Sequence, residues 1–403
     1  MFENIICQDE VVSLLREDWR AGRLPAAMLF AGPDFSGKLS AALELARGLG
    51  CEGGADWRCE CRSCAAHRLL AHPYTAFAGG RYFYEEALAC ANTLRRAWSV
   101  PGRFLFIRSV RKLLRRFDAH LWEGEEARLH KIMPSLVAAE EALQELSPER
   151  EGPPPEKRDK FIEGVLGAVA KITEGASLDS IPIKLIRRLS AWAHVGAGGA
   201  AKVIIMENAD RMLEGSRNAL LKILEEPPGR VTFILTTSRR AAILPTILSR
   251  VRTYQFAVRG EAAQRNVLTK IFREEEPSVP LKDFFRDFQD AAPDALRAAA
   301  LRFLMAARTS PPEAFPSIVQ EHGDWFQDRR KFRFFLYELF DVFRRILGSS
   351  PEGGHLPPSL ASVPLEKLEE WTSLLRRSLE SLDVLNMAPS LLAQRLYCVF
   401  GRP

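Results

Sequence analysis

The feature that most limits how this chain can fold is a short apolar run that breaks at a glycine and resumes as a helix. Ala27-Met28-Leu29-Phe30-Ala31 reads as a buried strand, and Gly32-Pro33-Asp34-Phe35-Ser36-Gly37-Lys38-Leu39 follows it directly. Leu43, Ala46 and Leu49 then recur at helical spacing. Gly32, Gly37 and Lys38 satisfy the spacing G-x-x-x-x-G-K. In that arrangement the glycines let backbone N–H groups turn onto phosphate oxygens, and the lysine reaches the outer phosphates. An ordinary glycine-containing strand–helix turn would carry the same residues.

Two further apolar runs, Val203-Ile204-Ile205-Met206 and Val231-Thr232-Phe233-Ile234-Leu235-Thr236, also read as buried strands. Between them Leu220, Leu221 and Leu224 mark a helix, with Ser216 as its expected N-cap and Pro227-Pro228 as its stop. Strand, helix, strand in this rhythm predicts an α/β domain built on a parallel sheet covered on both faces.

At 403 residues the chain is long for one domain. From about 81 to 175 the sheet rhythm gives way to Arg-rich helical segments and acidic patches, which predicts a helical insertion with a flexible linker near 148–158. The arginines from Arg108 to Arg116 read as a solvated helix face or as a basic surface for nucleic acid. After Phe256 the pattern is helical throughout. From Arg330 to Leu347 a broad stripe of Phe332, Phe335, Leu336, Leu339, Phe340, Val342 and Phe343 marks a helical core or a surface between subunits. No apolar run approaches the roughly 18–20 residues of a membrane span. Met1-Phe2-Glu3-Asn4 has no basic segment ahead of an apolar one, so a cytoplasmic protein is expected. A net charge of +5, from 56 basic and 51 acidic residues, excludes a histone-like blanket of positive charge.

Two parts of a working phosphate loop are altered. The hydroxyl that should follow the lysine to meet Mg²⁺ is replaced by Leu39, and Ser40 is one residue, about 100° of helix, too late. A hydrolysing site ends the next strand with a metal-positioning Asp and then a Glu that polarises water. Here Glu207-Asn208 stands there. Glu207 has the chemistry to bind a metal, or it is a solvated charge at a strand end. Asn208 is a poor general base, because an amide does not take up a proton near neutral pH.

Four of the seven cysteines, Cys51, Cys59, Cys61 and Cys64, follow C-x7-C-x-C-x2-C. Clustering of this kind favours a metal over disulfides, and four thiolates suit a structural Zn²⁺ at about 2.3 Å. Free reduced thiols would leave the same trace.

Several segments together resemble bacterial clamp-loader subunits of DNA polymerase III, the AAA+ group that holds delta-prime and gamma/tau. They are Phe2-Glu3-Asn4-Ile5-Ile6-Cys7-Gln8, Leu24 to Phe30, Asn208-Ala209-Asp210-Arg211-Met212, Asn218 to Pro228, and Leu244-Pro245-Thr246-Ile247-Leu248-Ser249-Arg250. The likeness spans roughly 2–80 and 176–258 and is weak beyond. It implies an AAA+ P-loop domain over 1–258, with a zinc knuckle at 51–64 and the insertion at about 81–175. A helical lid over 259–310 and an all-α collar over 311–403 would follow. By this likeness Arg250 is an arginine finger that reaches a neighbouring subunit's ATP site, where a guanidinium neutralises charge growing on the γ-phosphate. Gly32, Gly37, Lys38, Glu207 and Thr236 (or Thr237) are the remains of the chain's own nucleotide site. The likeness implies gamma/tau and delta subunits, the sliding clamp and primer-template DNA as partners. Phe35 and Cys7 stand where the group has glycine. With Leu39 and Asn208, these departures point to a delta-prime-like member that does not hydrolyse ATP and has little claim to bind ATP or ADP. A gamma/tau-like ATPase is the alternative.

Overall fold

Alternating apolar residues on five short strands build the centre of the molecule. The structure, a computed structural model, describes residues 1–401 apart from 177, 179, 197–198, 276, 278–279, 288–292, 348–359, 361–362 and 384–386. β1 (Ala27–Ala31), β2 (Thr75–Ala78), β3 (Lys202–Met206), β4 (Val231–Thr237) and β5 (Arg252–Gln255) form one parallel sheet in the order β2-β3-β4-β1-β5. Successive residues point to opposite faces. Met28, Phe30, Phe77, Val203, Ile205, Ile234 and Tyr254 therefore enter one apolar core, with α1 (Asp9–Arg20) and α2 (Lys38–Leu49). Leu29, Ile204, Met206, Phe233 and Leu235 enter the other, with α8 (Ile183–His194) and α9 (Glu214–Glu225). Ser216 lies inside α9, whose first residue is Glu214 and whose cap position is Leu213, so it is not the N-cap expected.

α3 (Arg62–Arg68) of the cysteine knuckle lies between α2 and β2, and between β2 and α8 come four longer helices. These are α4 (Phe83–Arg96), α5 (Val100–Leu114), α6 (Glu126–Glu145) and α7 (Pro155–Gly175), joined through two single-turn helices between α5 and α6. Their apolar faces share a third core with α11 (Glu261–Phe272) and α12 (Leu281–Asp287).

Two expectations about this region are corrected. The stretch 148–158 is a packed turn. The buried Arg103 donates to the carbonyls of Ser147 and Arg150, both at 2.9 Å, and Pro155 opens α7 with φ already suited to a helix. The arginines of α5 and of the turn that follows it are not a solvated face. Arg108 donates to His67 and Arg68 carbonyls, Arg111 to that of Leu69, and Arg115 to those of His72 and Thr75, so they cap the end of α3 and the approach to β2.

The chain divides into two compact units, Met1–Phe288 and Gln289–Pro403. The division falls inside 259–310, with α11 and α12 in the first unit and α13 (Pro293–Thr309) in the second. The second unit is helical: α13, α14 (Phe315–Gln327), α15 (Arg329–Ile346), α16 (Leu365–Asp383) and α17 (Pro389–Phe400). Its core is aromatic, with Phe303, Phe326, Phe335, Trp371, Tyr397 and Phe400 in edge and tilted contacts. Phe332, Phe335, Leu336, Leu339, Val342 and Phe343 of the α15 stripe are buried in it. Among the described residues, no helix is long and apolar enough to cross a membrane.

Candidate functional site

Strand register assembles the site. Ala31 lies opposite Thr237, and Met206 opposite Leu235. Gly32 and Glu207, the first residues past β1 and β3, therefore leave the sheet beside Thr236 and Thr237. This is the carboxyl edge, where open parallel sheets bind ligands. Gly32, Gly37, Lys38, Glu207 and Thr236 all meet there. Arg250 does not. It lies between α10 (Pro245–Leu248) and β5, whose Arg252 pairs with Met28 near the opposite end of β1. A five-residue parallel strand separates the two ends by about 16 Å.

The glycines are sterically required. A Cβ on Gly32 would sit 2.5 Å from the Phe256 carbonyl oxygen, and Gly37 has φ of 96° with a would-be Cβ 2.9 Å from the Arg259 guanidinium. The functional groups of the loop, however, face the chain itself. Buried Lys38 donates from Nζ to the carbonyls of Gly32 (2.7 Å) and Pro33 (2.5 Å), with Ser36 Oγ at 3.4 Å. Burial pulls its ammonium down to about 8, against the opposing pull of Asp34, Glu207 and Asp210. Arg259 donates to Phe35 and Ile6 carbonyls and so ties the loop to the amino-terminal segment. Phe35 adopts φ of 59° and stacks between Tyr82 and Phe285, with ring centroids 6.4 and 5.3 Å away. Leu39 is buried in the sheet core.

Glu207 is likewise engaged. One carboxylate oxygen accepts from Arg81 at 3.0 Å, and the other from the buried Arg116. Arg116 also donates to the Gly79 carbonyl and lies over the rings of Phe77 and Phe83. Burial pulls Arg116 down to about 10 despite the attraction of Glu207. The chain of charges continues outward from Arg81 to Glu86 and on to Lys112. Asn208 sits at φ of 52°, with Nδ2 donating to the Gly80 carbonyl at 2.7 Å and its backbone N–H to Thr236 Oγ1 at 3.4 Å. Asp210 accepts from Thr237 Oγ1 at 2.7 Å and from Arg239 at 2.7 and 2.9 Å.

A nucleotide loop of this kind implies a magnesium nucleotide at this edge, and the residues present do not fit one. The carboxylate is shared by two guanidiniums, the hydroxyl position holds a buried leucine, and the lysine is directed at its own loop. Arg250 is half-exposed. It donates to Glu225 at 2.6 Å, to the Thr246 carbonyl at 2.8 Å and to Ser249 Oγ at 3.3 Å.

The cysteines form a second centre. The Sγ atoms of Cys51, Cys59, Cys61 and Cys64 all lie within 4.8 Å of one another, close enough to bind one metal ion. A tetrahedron with 2.3 Å bonds needs sulfur separations of about 3.8 Å. Cys51 lies 3.6 Å from Cys59 and 4.0 Å from Cys61. The surroundings suit thiolates. The N–H of Gly53 points at Cys51 (3.3 Å), that of Cys64 at Cys61 (3.4 Å), and Arg47 donates to Cys64 at 3.0 Å. The Cys64 N–H pulls the Cys61 thiol down to about 6. Arg47, held by Glu44 within α2, also donates to the Ala55 carbonyl at 3.1 Å, and with its bond to Cys64 ties the knuckle to α2 behind the phosphate-type loop.

Comparison with known proteins fits this arrangement. The family model for "DNA polymerase III, delta subunit" matches residues 7–79 and 135–259. The chain is 37% identical over 81 residues to DNA polymerase III subunit delta' of Yersinia pestis, which covers 20% of this chain and 24% of that one. It is 27% identical over 173 residues to the delta' subunit of Pseudomonas aeruginosa, 43% of this chain and 44% of that one. The chain belongs to the clamp-loader family of DNA polymerase III. A further relative is the gamma/tau subunit of Mycobacterium tuberculosis, 38% identical over 74 residues, 18% of this chain and 13% of that one. The chain thus spans less than half the length of each of these clamp-loader relatives. A gamma subunit-related protein of DNA polymerase III from Thermotoga maritima aligns in structure over 55% of this chain and 79% of its own, at 20% identity and a TM-score of 0.28.

The family match breaks over 80–134, the stretch that carries Arg81 and Arg116. Sequence reading missed both as partners of Glu207, since they lie 126 and 91 residues away. Arg259 and the ring pair Tyr82 and Phe285 were missed for the same reason. The only trace of them in the sequence is Phe35 itself, a large ring in the phosphate-type loop.

Proposed function

We propose that this chain is a delta-prime-like subunit of a DNA polymerase III clamp loader that hydrolyses no ATP itself and lends Arg250 to the ATP site of the subunit beside it. One observation carries the reading. The nucleotide-type loop is closed by its own side chains at one edge of the sheet, while Arg250 stands half-exposed about 16 Å away at the other, out of reach of its own loop. A guanidinium there is placed to serve a site on another molecule, although its bonds to Glu225, Thr246 and Ser249 also suit an arginine that closes its own loop. Its pair with Glu225 is solvent-exposed, and such pairs are worth at most about 1 kcal/mol, so release toward a phosphate costs little. In a neighbouring site Arg250 would neutralise charge developing on the transferred phosphoryl group. The partners on this reading are gamma/tau and delta subunits, the sliding clamp and primer-template DNA, in the cytoplasm. Zinc on Cys51, Cys59, Cys61 and Cys64 would be structural, because four thiolates leave no open position for substrate.

Replacing Arg250→Ala in a ring assembled with gamma/tau and delta subunits tests the assignment. Turnover at the adjoining ATP site should fall by about 10³-fold, in line with arginine fingers generally, so hydrolysis by the ring drops by that site's share while assembly stays intact. An unchanged rate removes the finger. Brisk hydrolysis by the isolated wild-type chain would instead favour a gamma/tau-like ATPase.

A further inference from the structure

The insertion does more than cover one side of the sheet. Helix α4 begins beside Glu207 and ends on the lid-type helices α11 and α12, spanning about 21 Å over its 14 residues. At its start, Arg81 grips Glu207 and Glu86, and Lys112 of α5 closes on Glu86. At its far end, Thr93 Oγ1 and Arg96 donate to the carbonyl of Phe272, the last residue of α11, at 3.3 and 3.2 Å, and Arg96 pairs with Glu274. Between these ends, Phe83, Ala87, Ala91 and Leu94 share one buried core with Val267, Leu268, Phe272, Leu281 and Phe284. Phe35 adds a third tie by stacking on Tyr82 of the insertion and on Phe285 of α12.

We propose that α4 is an internal strut between the Glu207 carboxylate and α11–α12, with the guanidiniums of Arg81 and Arg116 holding the charge-neutralising place of a divalent cation. This rests on reading the carboxyl edge as a former nucleotide site. In a nucleotide-driven module, ligand and metal join the sheet to the lid. Here the insertion, a part of the chain itself, makes that connection through ion pairs, hydrogen bonds and apolar packing. Two planar cations engage one carboxylate, one guanidinium on each oxygen, and the apolar core carries the constraint to α11 and α12.

Hydrogen exchange on the full-length chain, read by mass spectrometry, tests the strut. Glu207→Gln keeps the side-chain shape and removes the charge that both arginines hold. Amides in 81–96 and, remotely, in 261–272 and 281–287 should exchange at least about tenfold faster, while those of α8 and α9 on the other face stay as in the wild type. Acceleration confined to residues around 207, or equal acceleration everywhere, overturns the proposal. Should that variant fail to fold, Arg81→Gln breaks the partly exposed outer tie and is read in the same way. A Mn²⁺ titration of the wild-type chain, followed by electron paramagnetic resonance, gives an independent check. No saturable Mn²⁺ binding is expected, and a saturable site would overturn the cation-replacement claim. Both measurements use the single chain, so their failure leaves the Arg250 assignment to be decided in the assembled ring.

Discussion

Lys38→Met separates a phosphate-binding lysine from one that has become a buried structural donor. In the folded chain Lys38 titrates near 8, against 10.5 for the free side chain. Between those values the folded state binds fewer protons than the unfolded state, so stability rises with pH through that window. A shift of this size is worth about 3 kcal/mol of destabilisation while the lysine is charged in both states, at pH 7. Methionine removes that penalty. It also leaves the Gly32 and Pro33 carbonyls without their ammonium donor, at about 1 kcal/mol each. The variant should therefore be more stable than the wild type by about 1 kcal/mol at pH 7 and less stable by about 1 kcal/mol at pH 10, with the crossing near pH 9. Urea unfolding of both proteins from pH 7 to 10 measures this, and taking the difference cancels every other titrating group. With two compact units, the transition that responds belongs to the first. A difference that does not change with pH, or a variant already less stable at pH 7, would refute the reasoning.

Metal removal and one glycine-type position give two more checks. A strong chelator should release about one zinc per chain, and Cys59→Ser should lower the metal content and the unfolding midpoint of the first unit together; zinc-free protein with an unchanged midpoint would rule out a structural metal. Cys7 occupies φ of 54°, a conformation that glycine adopts freely, so Cys7→Gly should stabilise by about 1 kcal/mol in urea, whereas Cys7→Ala should not.

Three of the five strands were legible because they are continuous apolar runs. β1 begins at Ala27 and β4 at Val231 as those runs predict, and β3 at Lys202, one residue before Val203, since strands buried on both faces are mostly apolar. β2 and β5 are short and carry polar residues, so no run marked them. The cysteine cluster was legible because its ligands are close in sequence. The state of the nucleotide edge was legible only in part. Leu39 and Asn208 announced that something was missing, but not what had taken its place. Arg116 could not be linked to Glu207, because the pairing depends on the fold of a hundred-residue insertion. The basic run around it resembled a solvated face because periodicity reports apolar residues and is silent about guanidiniums turned toward carbonyls. Ser216 failed as an N-cap because α9 starts one half-turn earlier, at Glu214.

The two edges of the sheet have opposite requirements under the proposed function. A finger that serves a neighbour must be placed within a fraction of an ångström, since a misplacement of about 1 Å can cost a hundredfold in rate. Arg250 hangs from β5, and β5 is set by β1, which runs straight into the phosphate-type loop. Any ligand that reshaped that loop would be transmitted along β1 to the finger. Closing the loop with Lys38, Arg259 and Phe35, and tying Glu207 through α4 to α11 and α12, removes that dependence. The cost is a set of buried charges that must all be paired, where loss of a single partner is far more damaging than loss of a surface pair. A chain meant to switch would gain nothing from such wiring. A chain meant to hold one arginine still for another subunit's chemistry needs it.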